Sequence, residues 1–102
     1  MNIVNKDELC PVCGFNFYAK FNAKPWGKRM PADEICPSCG IQFGYDDTAG
    51  GDLKDRSCIY KEWREKWIKG GMKWYSRGMK QPKDWDAKDQ LKKIIKTAKW
   101  VV

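Results

Sequence analysis

Apolar residues recur along this chain in two different rhythms. From Phe15 to Phe21 (Phe15-Asn16-Phe17-Tyr18-Ala19-Lys20-Phe21) and from Ile41 to Tyr45 (Ile41-Gln42-Phe43-Gly44-Tyr45) they alternate with polar or small residues. That period of two predicts short, half-buried strands. Each run follows a Cys-Pro-x-Cys-Gly turn, Cys10 to Gly14 and Cys36 to Gly40, so residues 1–45 form a weak internal repeat of turn and strand. Between the repeats, Asn22 to Ala32 carries Pro25, Gly27 and Pro31 among Lys24, Lys28 and Arg29. This is the punctuation of a surface loop, with Trp26 expected to fold back onto the core.

The second rhythm begins beyond Asp46-Asp47-Thr48-Ala49-Gly50-Gly51-Asp52, a polar connector. Ile59, Trp63 and Trp67 stand four residues apart with Tyr60 beside them, which predicts a helix over Leu53 to Lys69, ended by Gly70-Gly71. Met72 to Tyr75 reads as a further turn and Gly78 to Lys83 as a loop. Asp84 or Asp86 would cap a last helix whose Leu91, Ile94, Ile95 and Ala98 share one face. The expected fold class is therefore α+β: short antiparallel strands with two cysteine knuckles over residues 1–52, then two or three helices over residues 53–102, packed together as a single domain. At 102 residues such a core is small enough to gain from a metal staple.

Spacing of the cysteines points to that staple. Cys10 and Cys13, and after 22 intervening residues Cys36 and Cys39, form two Cys-x-x-Cys pairs, the pattern of a four-thiolate structural zinc site. Two residues between sulfurs let both converge on one ion. The prolines stiffen each turn, and Gly14 and Gly40 allow a positive φ that would aim backbone N–H groups at the thiolates. Four thiolates fill a tetrahedral ion and the chain contains no histidine, so neither an open coordination position nor an imidazole base is expected and no catalytic residue is assigned. Cys58, at the start of the first long helix, is expected to be a small core residue.

Charge changes the picture in the second half. The net +7 divides into +1 over residues 1–45, −3 over residues 46–52 and +9 over residues 53–102. A basic half favours an acidic partner without naming one. Asp46, Asp47 and Asp52, beside Tyr45, read as a solvated connector rather than a cation or acid–base site. Trp63 and Trp67, at helical spacing, are expected in the core. Trp26, Trp74, Trp85 and Trp100 remain open between core and surface. Arg64, Lys73, Trp74 and Arg77 are the candidate partner-binding residues, because aromatic and basic side chains together suit an interface. No apolar stretch is long enough to span a bilayer and the first residues lack a signal-peptide core, so a cytoplasmic location with no membrane association is expected.

Two resemblances sharpen these expectations. Met30-Pro31-Ala32-Asp33-Glu34-Ile35-Cys36-Pro37-Ser38-Cys39-Gly40 resembles the second metal loop of rubredoxins, and Cys10-Pro11-Val12-Cys13-Gly14-Phe15 the first. This implies a rubredoxin-like zinc ribbon as the fold of the first half. The shorter spacing between the pairs, the basic charge and the helical second half set the chain apart from those iron electron carriers. A second resemblance runs through Glu34 to Asp47 and then Trp63, Arg64, Trp67, Gly70, Met72 and Trp74. It is similar to small, cysteine-rich bacterial proteins of the CPCC type, and it implies a non-enzymatic, protein-binding role of the immunity kind in a toxin system. The leading expectation is thus a non-catalytic protein with one structural zinc ion that binds another protein and has no small-molecule substrate. The alternatives are a nucleic-acid-binding zinc ribbon and a rubredoxin-like electron carrier holding iron.

Overall fold

The computed structural model describes residues 6–27, 30–48 and 53–94. A 3-10 turn, Lys6–Glu8, leads to the first knuckle. Three helices follow: α1 (Phe17–Phe21), α2 (Leu53–Lys69) and α3 (Ala87–Leu91). No helix among the described residues is long and apolar enough to cross a membrane.

The expected antiparallel strands do not form. Among the described residues the β pairing consists of three isolated antiparallel bridges, Leu9 with Asn16, Trp26 with Pro31 and Ile35 with Gln42. The molecule is mainly helix and loop, so the α+β zinc-ribbon expectation is overturned. The reason lies in local turn chemistry. After the first knuckle, Asn16 caps a helix instead of extending a strand, its Oδ1 accepting from the Ala19 N–H at 3.1 Å. Phe17 and Phe21 then meet one turn apart, ring centroids 4.5 Å from each other. After the second knuckle, the chain turns back at once. The Tyr45 and Asp46 N–H groups both donate to the Gln42 carbonyl, and the Asp46 carboxylate accepts from the Gln42 N–H at 2.8 Å. Side-chain acceptors of this kind compete with a ladder for the backbone.

Helix α2 runs over the predicted Leu53–Lys69 and ends at Gly71, whose φ of 97° is left-handed. There the Met72 N–H donates to the Trp67 carbonyl and the Gly71 N–H to the Ile68 carbonyl, the double bond of a Schellman stop. Helix α3 is shorter than predicted. Asp86 is its cap, accepting from the Lys88 and Asp89 N–H groups, and of the apolar face Leu91 is buried while Ile94 lies against the core in a turn beyond the helix. Ile95, Ala98 and Trp100 lie outside the described residues.

The core is built around the cysteines. Cys10, Val12, Cys13, Phe17, Cys36, Ile41, Phe43 and Leu91 are fully buried, and Cys39 and Trp67 nearly so. Phe43 stands edge-on to Phe17 at 5.2 Å and to Tyr60 of α2 at 6.4 Å. Trp26, Trp63 and Trp85 pack against this cluster from outside. Trp74 meets Trp85 and Phe15 edge to face. Burial of this aromatic area is the main driving term for a core of this size.

Candidate metal centre

The two knuckles are built alike, bond for bond. In the first, the Cys10 N–H donates to the Phe15 carbonyl and the Gly14 N–H to the Cys10 carbonyl, each at 2.8 Å. In the second, the Cys36 N–H donates to the Ile41 carbonyl and the Gly40 N–H to the Cys36 carbonyl, also at 2.8 Å. Gly14 and Gly40 hold φ values of 84° and 86°, the conformation that a side chain disfavours. Their own N–H groups close the turns onto the Cys10 and Cys36 carbonyls. The weak sequence repeat is a real repeat of turn geometry.

Stacked against each other, the knuckles bring all four sulfurs of Cys10, Cys13, Cys36 and Cys39 within 4.8 Å of one another. The closest approaches cross between knuckles: Cys10 Sγ to Cys39 Sγ and Cys13 Sγ to Cys36 Sγ, both 3.7 Å. A disulfide would require about 2.05 Å. A tetrahedral ion with metal–sulfur bonds of about 2.3 Å would set its ligand sulfurs about 3.8 Å apart. The residues present fit a tetrahedral metal ion, and the tetra-cysteine cluster can hold one.

Electrostatics argue the same way. Burial pushes the Cys10 and Cys39 thiols well above the ordinary thiol range. Burial also acts to raise Cys13, but hydrogen bonds from Cys10, Cys36, Cys39 and Ser38 outweigh it and hold that thiol well below the range. Left without a cation, the cavity keeps protons on deeply buried thiols such as Cys10 and Cys39. A cation at its centre replaces those protons and removes the desolvation cost of the thiolates.

What holds the knuckles in register comes from the second half of the chain. Arg64 of α2 grips the first knuckle, Nε donating to the Val12 carbonyl at 2.8 Å and Nη2 to the Pro11 carbonyl at 2.6 Å. Its neighbour Trp63 reaches the second, Nε1 donating to the Cys39 carbonyl at 2.9 Å. Pro37 and Ser38 carbonyls accept from the Tyr75 N–H, and Pro37 also from the Ser76 N–H. Gln90 of α3, 7% exposed, joins both knuckles: its Nε2 donates to the Cys13 carbonyl at 3.1 Å and to Ser38 Oγ at 2.9 Å, while its Oε1 accepts from Trp85 Nε1 at 2.7 Å. Both knuckles thus have every carbonyl from the first cysteine to the second satisfied.

Compared with known proteins, the chain matches no family model, no curated protein and no solved structure.

Of the four candidate partner residues, the structure gathers three. Lys73, Trp74 and Arg77 line one hollow with Cys39, Trp67 and Tyr75. Arg64 is turned inward as a clamp, and burial lowers its proton affinity from the ordinary guanidinium value against the opposing pull of the nearby cysteines. Cys58 is exposed on α2, contrary to the core role expected. The largest departure is Asp47, expected on a solvated connector. It is fully buried, its Oδ2 accepting from Trp26 Nε1 at 2.8 Å and Tyr60 Oη at 2.5 Å, and its Oδ1 from the Gly44 N–H at 2.7 Å. Its carbonyl accepts from Arg56 Nε, and the Arg56 guanidinium lies 3.9 Å over the Trp26 ring. Asp47 anchors α2 to the interknuckle loop. Three donors at fixed distances make the buried carboxylate a structural strut.

Proposed function

We propose that the chain is a non-catalytic, protein-binding module stapled by one structural zinc ion, held by Cys10, Cys13, Cys36 and Cys39. The observation that carries this reading is the sulfur geometry: four buried sulfurs within 4.8 Å of one another, with crossed pairs at 3.7 Å. Zinc favours closed four-thiolate sites, and an all-cysteine site leaves no position for water or substrate. The ion's contribution is folding energy: it fixes two turns whose stability otherwise rests on few internal bonds.

A protein partner is supported by the exposed side chains of Lys73, Tyr75 and Arg77 on a rigid mount beside the second knuckle. The immunity-type role rests on the sequence resemblance of residues 34–47 and the tryptophan-bearing helix.

Metal analysis and a visible spectrum of protein purified without added metal or chelator test the centre. One zinc per chain and no colour is the expected result. Iron with visible thiolate bands would overturn the zinc assignment, and a folded, metal-free protein would overturn the site itself.

A further inference from the structure

Tyr75 is an exposed aromatic residue beside the second knuckle. It is 58% exposed, yet its backbone is pinned, the N–H donating to the Pro37 and Ser38 carbonyls at 3.1 and 3.2 Å. The ring lies against Gly40, where an added Cβ would fall 2.5 Å from it. An exposed aromatic on so fixed a mount loses little freedom when covered, which is the property of an interface anchor.

Hollows open on either side of this ridge, and Tyr75 and Arg77 belong to both. The larger, about 600 Å³, is lined by Lys73 and Arg77 together with Trp67 and Trp74. The smaller, about 360 Å³, is lined in part by the apolar Phe21, Ile35 and Met79 and in part by polar residues that include Asp33 and Glu34. Ile35 is itself 43% exposed. Lys73 and Arg77 on the hollows, and Lys80 and Lys83 farther along the chain, are all exposed, and Asp84 is the one acid between residues 70 and 85. The two ion pairs among the described residues, Lys24–Asp7 and Lys92–Asp89, use none of these four cations.

Resting on the protein-binding reading above, we infer that the Tyr75 ridge is the docking surface, and that its partner is a protein segment with a carboxylate side chain for the Lys73–Arg77 hollow and a nearby apolar side chain for the Phe21–Ile35–Met79 hollow. Charge complementarity selects the carboxylate, and the apolar lining selects its neighbour. A nucleic-acid strand fits less well. Its phosphates would be drawn to Lys73 and Arg77, but a strand continuing across Tyr75 would carry the next phosphates to Asp33 and Glu34.

The test is selection of random peptides displayed on phage against the full-length protein as purified. Parent protein is compared with Tyr75→Ala and with Lys73→Glu/Arg77→Glu, and a labelled oligothymidylate is run alongside. Both variants should retain metal content and thermal transition, because the altered side chains are exposed while the backbone bonds of Lys73 and Tyr75 remain. The expected result is recovered peptides with Asp or Glu close to Leu, Phe or Met, whose synthetic forms bind each variant roughly tenfold or more weakly. Peptides without that pattern, or peptides that bind both variants like the parent, overturn the surface while leaving a protein-binding function intact. A selection that yields nothing overturns the surface; if the oligothymidylate is then retained by the parent and lost in the variants, the protein-binding function falls with it.

Discussion

Trp63 and Arg64 are neighbours on one helix and hold opposite knuckles, Trp63 through the Cys39 carbonyl and Arg64 through the Pro11 and Val12 carbonyls. One short stretch of α2 therefore spans the two halves of the tetra-cysteine site. The helical half of the chain is a part of the metal centre's frame, so the centre and α2 are expected to gain and lose order together.

Replacing Arg64 by Ala removes two charge-assisted bonds and leaves two carbonyls without donors, an expected loss of about 2–4 kcal/mol. Arg64→Lys should recover only part of this, since an ammonium cannot reproduce the paired geometry of the guanidinium. Urea unfolding of the metal-loaded variants measures both. An unchanged midpoint for Arg64→Ala would refute the clamp.

Gln90 is the tie between knuckles from the other side. Gln90→Leu keeps the approximate volume but strands the Cys13 carbonyl, Ser38 Oγ and the Trp85 N–H, and is expected to destabilise the protein by about 2–4 kcal/mol. Gln90→Glu loses both donated bonds and sets a negative charge beside the thiolates, so its metal should be extracted by a competing chelator at lower concentration than in Gln90→Leu. Equal chelator midpoints for the two would argue against an electrostatic link to the sulfurs.

Gly14 and Gly78 provide a paired test of backbone demand. An added Cβ at Gly14 would lie 2.2 Å from the Gln90 carbonyl oxygen, at a φ of 84°, whereas at Gly78 it meets nothing within 4 Å. Gly14→Ala is expected to cost well over about 1 kcal/mol, because positive-φ strain and a clash with rigid backbone act together. Gly78→Ala should stay within about 0.5 kcal/mol. Thermal denaturation of the pair decides, and comparable losses would mean that α3 can move away from the first knuckle.

Tyr60 sets an alkaline limit. Burial, then its hydrogen bond to Asp47, raises its ionisation above the ordinary phenol value of 10.0. Above that value the unfolded chain releases a proton that the folded one retains, so the folded state binds more protons and stability falls with rising pH. Below it the Tyr60 contribution is fully present. The slope above pH 10 should include up to about 1.4 kcal/mol per pH unit from this group. Tyr60→Phe should flatten it, as read from denaturation midpoints over an alkaline series. Parallel slopes in the two proteins would remove Tyr60 as the cause.

Much of this arrangement was legible in the sequence because its signals are local. Paired cysteines two residues apart, followed by glycine, specify a turn wherever they fall. An apolar residue every fourth position, Ile59, Trp63 and Trp67, specifies a helix with one apolar face, and Leu53–Lys69 is that helix. The strands failed because the alternation from Phe15 to Phe21 also places Phe17 and Phe21 four apart, and Asn16 is a better helix cap than strand residue. Gln90 and Asp47 could not be found from local pattern. A polar residue beside Leu91 and an acid within an acidic connector look solvated until the fold brings donors and acceptors from dozens of residues away.

Cys39 differs from the other three cysteines in one respect: it keeps 6% of its surface, while they keep none, and it opens onto the hollow beneath Lys73 and Arg77. A chelator is therefore expected to reach a bound ion from the side that a partner would cover. Covering that side would change how long the metal stays without touching any of its ligands. The rate of metal loss then becomes a clock that reports whether the surface is occupied.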